Sequence, residues 1–138
     1  MKQMDPIHEL LSRAKTIAVV GQSDSPMRPS HGVSAYMQVQ GYKIIPVNPQ
    51  IAEALGEKSY PSLLDIPREL ADKIDLVDIF RRSEFVDEIV EQAMQLKIPA
   101  IWLQEDVINE RAAEKASNAG MFVVMDKCIL KEHRARFG

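Results

Sequence analysis

Short apolar runs recur along the chain at residues 16–20, 43–47, 76–80 and 100–103, and a fifth follows at 121–125. They are rich in Ile, Val and Leu and lack the strict alternation of a half-solvated strand, which predicts strands covered on both faces. Between them the period changes. Phe85, Val86, Ile89, Val90, Ala93 and Met94 recur at three- and four-residue steps, the stripe of a helix lying on a sheet. Residues 33–39 and 107–119 predict further helices, the second ending at Gly120, which suits a left-handed helix stop. Residues 5–13 predict a leading helix with Asp5 as N-cap and Pro6 at its first position. Pro61 and Pro67 divide the stretch 50–71 into short pieces, with a turn and a short helix around 62–66. Strands alternating with helices imply an α/β, Rossmann-like three-layer domain around a mainly parallel five-stranded sheet.

Length and composition narrow the picture. The 138 residues suit one domain spanning 1–138, without repeat or linker, and an apolar fraction of 46% supplies its core. Disorder is expected only at the termini. Lys plus Arg number 17 against 20 Asp plus Glu, and a net charge of -3 makes no field for a nucleic acid backbone. An anionic ligand must therefore be held locally. The single cysteine, Cys128, excludes an internal disulfide and a zinc site of several thiolates. No signal-peptide core or membrane-length apolar run occurs, so the expected place is the cytoplasm, with no membrane partner.

In an open parallel sheet, ligands bind beyond the carboxyl ends of the strands. The first such end reads Gly21-Gln22-Ser23-Asp24-Ser25-Pro26-Met27-Arg28-Pro29-Ser30-His31-Gly32. It is a small, hydroxyl-rich turn entering a helix, able to offer N–H groups and a positive helix end to phosphate. A dinucleotide fingerprint needs glycines where Ser23 and Pro26 stand, and an acidic end to strand two where Val47-Asn48-Pro49 stands. No Walker loop is present either.

These strand ends resemble the CoA-binding domain family, a Rossmann-like module also found in the alpha subunit of succinyl-CoA synthetase and in stand-alone bacterial proteins. The likeness is carried by Ile17-Ala18-Val19-Val20-Gly21 with Ser23, Pro26, Arg28 and Ser30, and by Gly41-Tyr42-Lys43 with Pro46-Val47-Asn48-Pro49. It continues in Asp78-Ile79-Phe80-Arg81-Arg82, Ile101-Trp102-Leu103-Gln104-Glu105 and Val124-Met125-Asp126-Lys127-Cys128. The resemblance implies that Gly21, Ser23, Arg28 and Ser30 surround the phosphates of coenzyme A or an acyl-CoA. It implies that Val47, Asn48 and Pro49 face the adenosine end, that Phe80 and Arg81 border the cleft, and that Gln104 lies toward the pantetheine.

Physical chemistry supports the same ligand class. Coenzyme A carries a pyrophosphate and a ribose phosphate, for which Arg28, Arg81 and Arg82 can supply paired, charge-assisted hydrogen bonds. The plainer readings are that Arg82 starts a solvated helix turn, His31 is a polar helix entrance and Glu105 with Asp106 an acidic helix start. Cys128 is read as a packed thiol and Trp102 as core. His8 and His133 lack metal-ligand spacing, and no metal site is expected. With no legible nucleophile, base and orienting group, the expected function is noncatalytic binding of a small CoA ligand. The alternatives are a CoA-ligase or acyl-CoA enzyme subunit completed by a partner chain, and an NAD(P)-binding redox protein.

Overall fold

The computed structural model describes residues 5–138. The chain runs α1 (Pro6–Arg13), β1 (Thr16–Val20), α2 (Pro29–Val39), β2 (Lys43–Val47), β3 (Glu53–Ala54), β4 (Glu57–Lys58) and α3 (Arg68–Ala71). It continues with β5 (Leu76–Ile79), α4 (Val86–Gln95), β6 (Ala100–Leu103), α5 (Glu110–Asn118), β7 (Phe122–Val124) and α6 (Ile129–Phe137). The main sheet has five strands in the order β2-β1-β5-β6-β7, all parallel. This is the Rossmann-like α/β architecture that the alternation of strands and helices predicts. From β1 the chain first steps outward to β2 and then crosses back to β5. The connections therefore diverge between β1 and β5, and a crevice opens at their carboxyl ends.

Both faces of the sheet are dry, which explains the unbroken apolar runs. Ala18, Val20, Val77, Ile79, Ile101 and Leu103 meet Ile89, Val90, Ala93, Ala112 and Ala116 of α4 and α5. On the other face Ile17, Val19, Ile44, Leu76 and Trp102 meet Leu10, Leu11, Met37 and Ile129 of α1, α2 and α6. Each fully buried aliphatic side chain contributes about 1.5–3 kcal/mol relative to exposure. Pro46 is tolerated because β2 is an edge strand, where its missing N–H breaks no ladder.

Several boundaries differ from those read in the sequence. The second helix starts at Pro29, not 33, because proline at the first helical position costs no hydrogen bond. The fifth starts at Glu110, not 107, because the Asn109 side chain accepts from the Ala112 N–H at 3.0 Å and caps it there. The third strand stops at Ile79, leaving Phe80 just beyond it, and the last covers only Phe122–Val124. The β3–β4 hairpin, α3 and α6 lie where no element was predicted. Expected disorder at the amino end falls on residues 1–4, outside the described residues, whereas the carboxyl end is helical to Phe137.

One strand residue breaks the apolar rule. Asp78, 2% exposed, lies in register with Val19 and Trp102, and its Oδ1 has no partner among the described residues. Burial pushes its carboxyl well above the usual carboxylate range. A group whose folded pKa is raised binds its proton more tightly in the native state, so its contribution is fully present below the unfolded value of about 3.9. It is lost as pH rises through the folded value. Asp78→Asn is therefore expected to be about 1–3 kcal/mol more stable than the parent at pH 7, with a smaller gain at pH 4. Urea unfolding at both pH values checks this; equal gains at both would assign the effect to packing.

Candidate functional site

The crevice is built on a strained turn that only glycine permits. Gly21 has φ +89°, and its N–H donates to the Val47 carbonyl at 2.9 Å. A β-carbon there would stand 2.3 Å from the Phe80 carbonyl oxygen. The chain thus passes flush against β5 before turning into α2. Hydroxyls then brace the turn. Ser30 Oγ accepts from the Ser23 N–H at 2.9 Å, and Ser23 Oγ accepts from the Ser25 N–H at 3.0 Å. Each hydroxyl used as an acceptor keeps its own proton to donate. Asn48 donates through Nδ2 to the Gln22 carbonyl at 2.8 Å, while its Oδ1 accepts from the Gln50 N–H at 2.8 Å. Beneath the turn, buried Gln22 donates to the Ser23 and Ser30 carbonyls.

A cleft of about 720 Å³ opens over this turn. Its walls include Gly21, Ser23, Arg28, Ser30, Asn48, Phe80, Arg81 and Gln104. A smaller cavity of about 130 Å³ holds Val47 and Pro49 with Pro61, Leu63 and Phe85, and Arg81 lines both. The structure therefore brings eight of the ten expected ligand residues to one cleft, from four strand ends, and leaves Val47 and Pro49 in the smaller cavity that shares Arg81 with it. It also qualifies what some of them do. Ser30 is 5% exposed and works largely as a brace, and most of the Asn48 carboxamide is already bonded to protein.

Charge is uneven around the cleft. Arg28, Arg81 and Arg82 line it, and none has a carboxylate within ion-pair distance among the described residues. The Arg81 guanidinium lies over the Phe85 ring, 4.3 Å from its centroid, a cation–π contact that leaves its charge unneutralised. Of the acidic residues on the wall, Glu105 is bonded to Lys131 at 3.0 Å, while Asp106 is exposed at the rim. Uncompensated guanidinium groups beside hydroxyl donors suit a phosphorylated ligand.

The sequence offers Arg82 both as a phosphate partner and as a solvated helix start, and Cys128 as a packed thiol; both line the cleft. The signal for Cys128 was its place just after the last strand; its 7% exposure accords with the packed thiol expected there. Val33, just past the first turn of α2, and Val107 also contribute apolar wall. His31 lines neither cavity and stands in the first turn of α2, as the plainer reading has it. No helix among the described residues is long and apolar enough to cross a membrane.

Sheet order and cleft define a Rossmann-like α/β domain whose switch-point crevice is lined by arginine and hydroxyl groups. The chain belongs to the family described as the CoA binding domain, which residues 15–134 match. It is 46% identical over 127 residues to the uncharacterized protein YneT of Bacillus subtilis strain 168, covering 92% of this chain and 91% of that one. A solved structure of a hypothetical protein from Pyrococcus horikoshii OT3 matches with a TM-score of 0.90 and 38% identity over 100% of both chains. A segment of 83 residues, 59% of this chain, is 34% identical to the ADP-forming acetate–CoA ligase II of Archaeoglobus fulgidus. It corresponds to 12% of that ligase.

Proposed function

We propose that this chain binds coenzyme A or an acyl-CoA in the large cleft, as a carrier, sensor or regulatory partner that performs no chemistry of its own on the thioester. The observation that carries the reading is the gathering of Arg28, Arg81 and Arg82, without carboxylate partners, around the Gly21 turn. Family membership supports coenzyme A as the phosphorylated ligand. The phosphates sit against Gly21, Ser23, Arg28 and Ser30, the adenosine end reaches Val47, Asn48 and Pro49, and the pantetheine passes Phe80 and Arg81 toward Gln104. The wall offers guanidinium, hydroxyl and carboxamide groups, which hold a ligand more readily than they transform it.

Calorimetric titration with CoA, acetyl-CoA and NADH tests the reading. CoA and acetyl-CoA are expected to bind and NADH not to; binding of NADH alone would overturn it. Arg28→Ala is expected to weaken CoA binding about tenfold or more, because one charge-assisted bond is worth about 1.5–3 kcal/mol. The Arg28 side chain is exposed and engages no acidic partner, so the unfolding midpoint of this variant should not move. Undiminished affinity would remove Arg28 from the site.

A second reading draws on the alignment with the acetate–CoA ligase. In it the chain is one component of an acyl-CoA-forming enzyme and a partner supplies the catalytic groups. Hydrolysis or ligation of the thioester by this chain alone would contradict both readings.

A further inference from the structure

We propose that Cys128 is a covalent docking point for the thiol of the ligand, so that the cleft captures coenzyme A from its disulfide as a protein–CoA mixed disulfide. The inference rests on the CoA-binding reading above and extends it to Cys128, the one cleft residue of thiol chemistry, to which that reading gives no role.

Cys128 is the single cysteine of the chain, a free thiol, and it lines the same cleft as Ser23, Arg28 and Arg81. Its neighbour in that wall points to a ligand independently. Gln104 is 4% exposed, and its Oε1 accepts the Ile129 N–H at 3.1 Å. That bond fixes which end of the carboxamide is which, because an N–H can donate only to the oxygen. Nε2, with its hydrogens, is left without a hydrogen-bond partner among the described residues, and it is absent from the polar atoms sealed off from solvent. Gln104 lines the cleft, and we infer that Nε2 opens onto it. A nine-tenths buried amide donor facing a cavity calls for an acceptor there.

The pantetheine arm carries such acceptors, its amide carbonyls, and ends in a thiol one ethylene spacer beyond the last of them. A carbonyl held by Gln104 Nε2 brings that sulfur into the neighbourhood of Cys128, which directly precedes Ile129 in the chain. Cys128 is only 7% exposed and borders the cleft. Its thiol is therefore more open to a molecule already seated than to disulfides in bulk solution.

The step is a thiol–disulfide exchange with coenzyme A disulfide as the co-reactant. Cys128 gives its proton to solvent, and its thiolate attacks one sulfur of the disulfide. A new S–S bond forms, the old one breaks, and the second CoA leaves as a thiolate that takes up a proton. Cys128 is oxidised to the mixed disulfide as the departing CoA is reduced to a thiol. Glu105 and Asp106, on the wall with Cys128, are exposed, so the departing half leaves toward solvent.

The test follows intact mass after the protein is mixed with coenzyme A disulfide, beside a parallel reaction with pantethine, the disulfide of the arm without nucleotide or phosphates. One CoA moiety per chain is expected, released by dithiothreitol, mapped to Cys128 in the digested wild-type adduct and absent in Cys128→Ser. At equal low concentration the CoA disulfide should react about tenfold faster than pantethine or more, and Arg28→Ala should remove that advantage. No adduct, or equal rates with the two disulfides, would overturn the inference. Titration of the reduced wild type with CoA separates the two claims. Binding without an adduct sinks the covalent step alone, and an absence of binding sinks the CoA reading with it.

Discussion

Gly21→Ala is expected to lower stability by about 2–5 kcal/mol and to remove CoA binding altogether. A left-handed conformation costs an L-residue about 1–2 kcal/mol, and φ at Gly21 is +89°. The added methyl would also lie 2.3 Å from the Phe80 carbonyl oxygen and 2.9 Å from its carbon, both backbone atoms. Neither can swing aside, because the Phe80 N–H is bonded to the Val20 carbonyl at 2.8 Å in continuation of the β1–β5 ladder. Forcing the turn off the sheet adds about 1–3 kcal/mol. It also carries Ser23 and its hydrogen bond to Ser30 away from the cleft. Urea unfolding and calorimetry on the same sample measure both effects; a loss below about 1 kcal/mol would show that the turn relaxes without cost.

Arg81→Ala is expected to weaken CoA binding by about 10- to 100-fold, more than Arg28→Ala, with little change in stability. Arg81 lines both the large cleft and the smaller cavity, so it can reach the phosphates from the side where the adenosine is expected. Its guanidinium is already stacked on Phe85, which reduces the freedom it loses on binding. A paired contact to phosphate at about 1.5–3 kcal/mol sets the range. Phe85 is itself 37% exposed, so removing the stack opens no cavity in the core. Titration calorimetry reads the change, and an affinity within threefold of the parent would show that Arg81 serves the wall alone.

The strands were legible because a parallel sheet buried on both faces writes itself as apolar runs, and those of β1 and β2 coincide with the residues read. The crevice was legible for the same reason, since the rule on strand ends needs only the order of elements. What escaped notice was long-range. The apolar face of α6 is Ile129 with His133, a buried imidazole hydrogen-bonded to Tyr36 OH at 2.9 Å, and neither a histidine nor a distant tyrosine marks a helix. Ser30 and Asn48 stand among the ligand residues through the family resemblance, whereas their use as braces depends on partners at Ser23, Gln22 and Gln50. Cys128 was placed correctly after the last strand, but its exposure to the cleft follows from how α6 packs back, which periodicity does not encode.

Trp102 packs fully buried in the central part of the sheet, and its indole N–H donates to the Lys127 carbonyl at 2.8 Å, immediately before Cys128. It is the only tryptophan in the chain. All of the protein's indole emission therefore originates from one dry site tied to the segment that forms the Cys128 end of the cleft. The molecule carries a built-in optical gauge there, and movement of that segment is readable by fluorescence without attaching any dye.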